Sequence, residues 1–142
     1  MPIIASPTSL VTPIILSEVD LINSFEFSNT FFGCSSLVNA PSVIPSGITS
    51  LYDTFRGCES IVTVPNIPSG ITDMTYAFAF CSSLKELTLL PTTPPIYSST
   101  LNGCSSLETI YVPDLAIYDY RNATGWSQFE SKFKQLSEKP SE

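Results

Sequence analysis

The four cysteines of this 142-residue chain combine reactive chemistry with a regular spacing. They lie 24, 23 and 23 residues apart, at Cys34, Cys58, Cys81 and Cys104. Zinc ligands normally come in close pairs such as Cys-x2-Cys, so one cysteine per repeat argues against a metal site. Disulfides between neighbouring repeats are an alternative, because a rise of ~4.8 Å falls within the ~4.4–6.8 Å Cα separation of a disulfide. A row of buried thiols, packed as small apolar side chains, explains the spacing most simply.

Residue types that catalysis usually requires are scarce. The chain contains no histidine, which removes Ser-His and Cys-His nucleophiles, histidine-ligated metals and the commonest general base. Lys85 and Glu86 are the most suggestive remaining pair, but neighbours in a strand point to opposite faces or out to solvent. We predict a solvated strand surface here, no catalytic residues, no cofactor, no metal and no enzymatic activity.

The cysteines belong to a seven-residue motif that occurs four times. Its copies are 31–37 (FFGCSSL), 55–61 (FRGCESI), 78–84 (FAFCSSL) and 101–107 (LNGCSSL). A fixed period in the low twenties is typical of a solenoid, in which each coil buries its apolar face against its neighbours. Stacking of such coils predicts an internal ladder formed by Phe31, Phe55, Phe78 and Leu101.

The residues around the motif predict the course of each coil. A short strand is expected after each cysteine, where apolar residues recur at spacings of three and often five. Pro-Ser-Gly at 45–47 and 68–70 is a tight-turn signal, because proline presets one dihedral angle and glycine tolerates a positive φ. Each coil is therefore predicted to be a strand, a turn, a second extended piece and a short turn before the next cysteine.

The pattern changes at both ends of the repeats. Weak echoes of the motif at a longer spacing near the start predict an atypical coil. Near the end, Trp126, Phe129 and Phe133 have helical spacing and would share one helix face. The fold class predicted is a mixed, β-rich solenoid of coils of about 23 residues. Its three regions are an N-terminal arm and capping coil in 1–29, the solenoid in 30–113 and a helical C-terminal cap in 114–142.

Charge and hydropathy exclude two classes of partner. The net charge is −7 and no basic residue precedes Arg56, so the basic stripe that nucleic-acid binding requires is absent. No apolar run reaches the ~18 residues of a membrane span. The apolar start of the chain has no basic residue and is interrupted by Pro2, Pro7 and Pro13, so we expect no secretion signal. Nucleic acid and membrane insertion are not predicted.

Residues 101–113 (LNGCSSLETIYVP) resemble the motif Phe-x-Gly-Cys-Ser-Ser-Leu-x-x-Ile-x-x-Pro of the BspA-type leucine-rich repeats, with leucine in the first place. The aromatic residues that follow, at Tyr120, Trp126 and Phe133, resemble the C-terminal cap of that family. The resemblance implies a right-handed leucine-rich-repeat solenoid that serves adhesion or other protein contacts. It also implies an origin among surface proteins of bacteria, protists and phages, and no catalytic residues.

Two parts of the predicted solenoid are candidates for protein contacts. The first is the outward strand surface, which we call the strand face, with Asn39, Thr63, Lys85, Glu86, Glu108, Thr109 and Tyr111. Extended faces of this kind are what repeat proteins use for recognition. The second is the N-terminal arm (residues 1–15), predicted to act in assembly through Pro2, Ile3, Ile4, Pro7, Leu10, Pro13, Ile14 and Ile15.

These observations predict a structural or interaction protein. The expected absence of a secretion signal and the apolar arm favour a subunit of an extracellular particle such as a phage virion, as a capsid decoration, head-fibre or tail-fibre component. The alternative is a binding module of a bacterial cell-surface adhesin. Expected partners are capsid or tail proteins or a host surface receptor, together with a homo-oligomer. The expected location is the virion or an extracellular surface, or, in the alternative, the bacterial cell surface.

Overall fold

Three short parallel strands and a series of turns make up the regular structure of residues 27–141, the part of the chain that the computed structural model describes. The strands are β1 (Glu86–Thr88), β2 (Thr109–Val112) and β3 (Phe133–Gln135), which form one sheet in the order β1-β2-β3. Helix α1 spans Ile117–Asn122. Three 3-10 turns lie at Asp114–Ala116, Trp126–Lys132 and Leu136–Glu138.

Backbone hydrogen bonds join the turns that precede successive cysteines. The amide of Phe31 donates to the carbonyl of Thr54 at 2.9 Å, and Phe55 donates to Ala77 at 2.9 Å. Alternate residues on either side continue the series, and Phe80 donates to Asn102 at 2.6 Å. In this series the donor lies in the earlier repeat and the acceptor in the next one. Successive repeats are therefore stacked in register along this side.

The phenylalanines of the motif stack on one another inside the protein. The ring centroids of Phe31 and Phe55 are 5.2 Å apart with 9° between the ring planes, and those of Phe55 and Phe78 are 5.3 Å apart with 3°. All three side chains are fully buried, and Leu101 is buried in the same column. The predicted internal ladder is confirmed.

The turn before each cysteine contains two residues with left-handed backbone. The second of them is glycine in three repeats, for example Gly57 with φ 79°. In the third repeat it is Phe80, with φ 65°. A side chain in this conformation brings Cβ close to the following carbonyl oxygen, which is why glycine is the default. This requirement explains the Gly-Cys pair of the motif.

The prediction of a strand after every cysteine was wrong for the first two repeats, since the described strands begin with β1 in the third. The position four residues after the motif's last apolar residue holds Pro41 and Pro65 in these two repeats, but Thr88 and Tyr111 in the next two. The amide of Ile67 donates to Thr88 at 2.8 Å. Two residues earlier, on the same side of the chain, Pro65 has no N–H to donate. The prolines therefore interrupt the ladder on this side.

The predicted helical C-terminal cap is partly wrong. Helix α1 forms, but residues 126–132 form 3-10 turns with non-helical backbone at Phe129. Phe133, predicted on a helix face, begins β3 and pairs with Ile110 of β2. These two residues are 23 positions apart, so the period of the repeats continues into the segment and adds the third parallel strand. The helical spacing of the aromatic residues concealed this continuation.

Two buried aromatic residues fasten the C-terminal segment to the loop that follows β1. The hydroxyl of Tyr120 donates to the carbonyl of Pro91 at 2.8 Å, and the indole N–H of Trp126 donates to Pro95 at 2.8 Å. Their rings meet edge to face at 5.7 Å. Tyr97 of the same loop packs on Trp126 at 5.1 Å. Burial with every polar atom bonded fixes the segment against the last repeats.

Truncation of the central ring of the ladder should destabilise the protein strongly. We expect Phe55→Ala to lower the free energy of unfolding by ~3–5 kcal/mol, because it leaves a cavity between Phe31 and Phe78. Thr63→Ala, on the exposed strand face, is the control and should change it by less than ~0.5 kcal/mol. Denaturant titration measures both. Equal stability of Phe55→Ala and wild type would refute the register of the stack.

The left-handed turn supplies a second test. Gly57→Ala should lower the free energy of unfolding by ~1–2 kcal/mol, because alanine is strained at positive φ. Space does not decide the result, since an added Cβ would meet its nearest neighbour, the Gly33 Cα, at an ordinary 3.5 Å. Gly47→Ala is the matched control: its Cβ would meet nothing within 4 Å, and its φ is not left-handed. A loss at Gly47 equal to that at Gly57 would contradict the explanation.

Candidate interaction face

The exposure of the residues predicted for the strand face differs between its two ends. Asn39, Thr63, Lys85 and Glu108 are exposed, whereas Glu86 and Thr109 are half-buried and directly paired across β1 and β2. Tyr111 is only 6% exposed, although it was expected to end the face as an accessible side chain. The face therefore has an open half in the first two repeats and a covered half over β1 and β2.

The open half is a pair of adjoining grooves. The first, of about 310 Å³, lies between residues 38–42 and 63–65. The second, of about 400 Å³, continues from Ser42 and Thr63 to Glu86 and Lys139. Among the described residues, no backbone hydrogen bond joins 38–43 to 62–66, as expected from the prolines of these repeats. None of the described residues that line the first groove carries a charge.

The covered half lies under Lys139. Its Nζ donates to the Thr88 hydroxyl at 2.8 Å and forms an ion pair with Glu86 at 3.3 Å. The same Nζ lies 5.6 Å from the centre of the Tyr111 ring. Lys139 was not among the predicted site residues, because no local pattern indicates that a residue near the end of the chain returns to the third repeat.

Short-range contacts shape the segment that carries Lys139. Residues 136–138 form a 3-10 turn with a capping box, in which the Gln135 amide donates to the Glu138 carboxylate at 2.9 Å. The Ser137 amide donates to Asp114 Oδ1 at 3.0 Å. This bond, together with one from the Ser137 side chain, lowers the pKa of the Asp114 carboxyl. The segment is thus folded but held by exposed contacts.

The cysteines form the buried column that the spacing predicted. Each of the last three thiols donates to the carbonyl of the preceding repeat's phenylalanine, as Cys58 does to Phe31 at 3.1 Å and Cys81 to Phe55 at 3.0 Å. Burial raises the pKa of the Cys58 thiol to about 12 and that of Cys104 to about 11. A buried thiol that stays protonated is neither a nucleophile nor a metal ligand at neutral pH. All four thiols are free.

A cluster around Arg56 was missed by the sequence analysis. The Arg56 guanidinium lies 4.2 Å from the Tyr76 ring centre and 5.6 Å from that of Phe32, and it pairs with Asp53 at 3.3 Å. Phe32 and Arg56 occupy the same place in successive motifs, which is the signal that could have revealed the contact. The cluster neutralises its own charge and stiffens the outer turns.

A sequence profile described as "BspA type Leucine rich repeat region" matches residues 7–123 in six copies. The chain belongs to this family. The resemblance predicted from residues 101–113 is confirmed, and the match begins well upstream of the first complete motif. For a BspA-type repeat protein, the family indicates a solenoid-like repeat fold and a module for protein interaction. A search of curated proteins found no match.

Neither a metal-binding cluster nor a membrane-spanning helix occurs in the described part of this BspA-type chain. Within residues 27–141, no group of three or more His, Cys, Asp or Glu side chains is arranged to hold a metal ion. Over the same residues, no helix is both long enough and apolar enough to cross a membrane. The predicted arm, with Pro2, Ile3, Ile4 and the other residues named above, lies outside the described part of the chain.

The thiol column predicts a loss of stability in alkali. An unfolded cysteine ionises near pH ~8.5, whereas burial raises the pKa of these thiols in the folded protein. The folded state therefore binds more protons above pH ~8.5, so this contribution to stability is complete below that pH and is lost as pH rises. Each thiol contributes up to ~1.4 kcal/mol per pH unit. The free energy of unfolding, measured by denaturant titration from pH 8 to 11, should fall less steeply with pH for Cys58→Ala than for wild type.

Proposed function

We propose that this chain is a non-catalytic protein-interaction module that binds a protein partner through its strand face. The observation that carries the proposal is the open half of that face, where the adjoining grooves are lined by exposed Val38 and Val43 and the backbone ladder is interrupted. Exposed apolar side chains that line a concave surface are typical of recognition sites. Membership of the BspA-type family supports the same assignment.

The context that we favour for this module is an extracellular particle such as a phage virion, in which the chain would be a capsid decoration, head-fibre or tail-fibre subunit. The apolar, uncharged sequence of the N-terminal arm supports assembly into a larger body. The second candidate is a binding module of a bacterial cell-surface adhesin. It is favoured by the resemblance to a family known from surface proteins. In this alternative the same strand face would bind a host receptor.

We further infer that the repeats continue as a right-handed leucine-rich-repeat solenoid with an atypical N-terminal coil. The stacking of residues 27–104 in register and the six copies of the family profile support this inference. The boundaries proposed for the three regions remain 1–29, 30–113 and 114–142. The third of these includes a strand, β3, as well as helical turns.

Fractionation of the organism that encodes the chain would separate the two contexts. Mass spectrometry of purified virus-like particles, of the washed cell envelope and of the soluble fraction would locate the protein. We expect it to be enriched in the particles. Enrichment in the envelope would favour the adhesin module instead, and recovery only in the soluble fraction would refute both contexts.

The assembly role of the arm has a separate test. The molar mass of the full chain in solution should correspond to a defined oligomer, and Ile3→Glu combined with Ile4→Glu should yield the monomer, because charge prevents burial of the arm. Leu115→Glu is the matched control, since Leu115 is 100% exposed on the opposite end of the chain. Light scattering after size exclusion measures all three. A monomeric wild type, or an oligomer unaffected by the arm substitutions, would remove the arm from the proposal.

A further inference from the structure

We propose that the covered half of the strand face is a binding site for a primary ammonium group, and that Lys139 occupies it in place of a lysine from a protein partner. The inference rests on the proposed function, because it takes the partner to be a protein that docks on this face. It assigns a ligand chemistry to one site on that surface.

Three different groups converge on the Lys139 ammonium. The Thr88 hydroxyl accepts one hydrogen bond at 2.8 Å and the Glu86 carboxylate lies at 3.3 Å. The Tyr111 ring, 5.6 Å from Nζ, presents a π-system that attracts a cation. A lysine ammonium has three N–H donors and no acceptor, so a carboxylate, a hydroxyl and a ring together match its chemistry.

The site belongs to the sheet and not to the segment that fills it. Thr88 and Tyr111 are direct partners across β1 and β2, and Glu86 lies two residues before Thr88 on the same face. Thr88 and Tyr111 are nearly fully buried side chains. Parallel pairing on both sides of β2 holds this arrangement. The site is therefore expected to keep its shape when Lys139 leaves.

Lys139 itself is held by contacts that a partner could replace. Its side chain is 25% exposed and that of Glu86 is 39% exposed, and partly exposed ion pairs of this kind contribute little to stability. The neighbouring turn depends on the exposed Ser137–Asp114 and Gln135–Glu138 hydrogen bonds. The second groove ends at Glu86 and Lys139. A polypeptide lying in the open half would thus place a lysine side chain directly at the site.

The test uses the full chain with Lys139→Ala, which vacates the site. The probe is Nα-acetyl-lysine methylamide, and Nα-acetyl-norleucine methylamide, which lacks the ammonium, is its control. Binding is followed by NMR through the Tyr111 ring and the amides of Glu86 and Thr88. We expect saturable shifts in the variant at millimolar probe, and binding at least ~5-fold weaker to wild type, where the tethered Lys139 competes at high effective concentration.

Matched carboxylate variants identify the site. In the Lys139→Ala background, Glu86→Gln should weaken probe binding at least ~5-fold, because it removes the charge that pairs with the ammonium. Glu59→Gln, at an exposed position of the second repeat that has no hydrogen bond or ion pair to Lys139, should leave it unchanged. Unaltered amide shifts in the phenylalanine ladder would show that each variant is folded.

Three results would overturn the proposal: equal binding of the norleucine probe, equal binding to wild type and Lys139→Ala, or equal effects of Glu86→Gln and Glu59→Gln. None of these measurements requires the natural partner. Probe binding together with failure of the fractionation test would therefore leave the ammonium site standing and reject only the proposed context. Particle enrichment without probe binding would reject the ammonium site alone.

Discussion

The stacking of one repeat directly on the next is the constraint on which the rest of the structure depends. In the first three repeats, the turn before the cysteine donates alternate amides to the carbonyls of the following repeat, so neighbouring turns must follow the same path. The carbonyl of Phe31 accepts two hydrogen bonds, one from the Cys34 amide at 3.0 Å within its own repeat and one from the Cys58 thiol at 3.1 Å in the next repeat. Only a small side chain with a donor fits at the cysteine position. The phenylalanine column then fills the space that the turns enclose.

The opposite side of each repeat is less uniform, and this difference creates the candidate site. Where the fourth residue after the motif is Thr88 or Tyr111, the strands β1 and β2 pair. Where it is Pro41 or Pro65, the ladder is interrupted and the surface opens into grooves. A change of one residue type at a repeated position thus divides the strand face into two halves with different binding properties.

The residues after the last repeat cover both the edge and part of the face of the sheet. Strand β3 pairs with the backbone groups at the edge of β2, which would otherwise be open to pairing with another chain. The residues beyond it turn back over the sheet and bring Lys139 to Thr88, which lies 51 residues earlier. The same segment therefore closes the edge of the sheet and covers half of its face.

The sequence by itself determined the parts of this protein that repeat. The period, the stacked rings of Phe31, Phe55 and Phe78, the buried cysteine column and the membership of a leucine-rich-repeat family all follow from residues that recur at one spacing. Recurrence is visible in one dimension because each repeat meets the next in the same way. For the same reason, the sequence predicts which residues of the strand face occupy equivalent places in successive repeats, as Glu86 and Thr109 do.

Only the tertiary structure decided what happens where the repetition fails. The burial of Tyr111, the position of Lys139 and the strand at Phe133 depend on contacts between distant segments, each of which occurs once. Helical spacing at Trp126 and Phe129 favoured a helix, but pairing with Ile110 stabilised a strand at the next aromatic residue. Local propensity is weak compared with the hydrogen bonds and burial that an open sheet edge offers. The accessible shape of the candidate site is therefore a property of the folded chain.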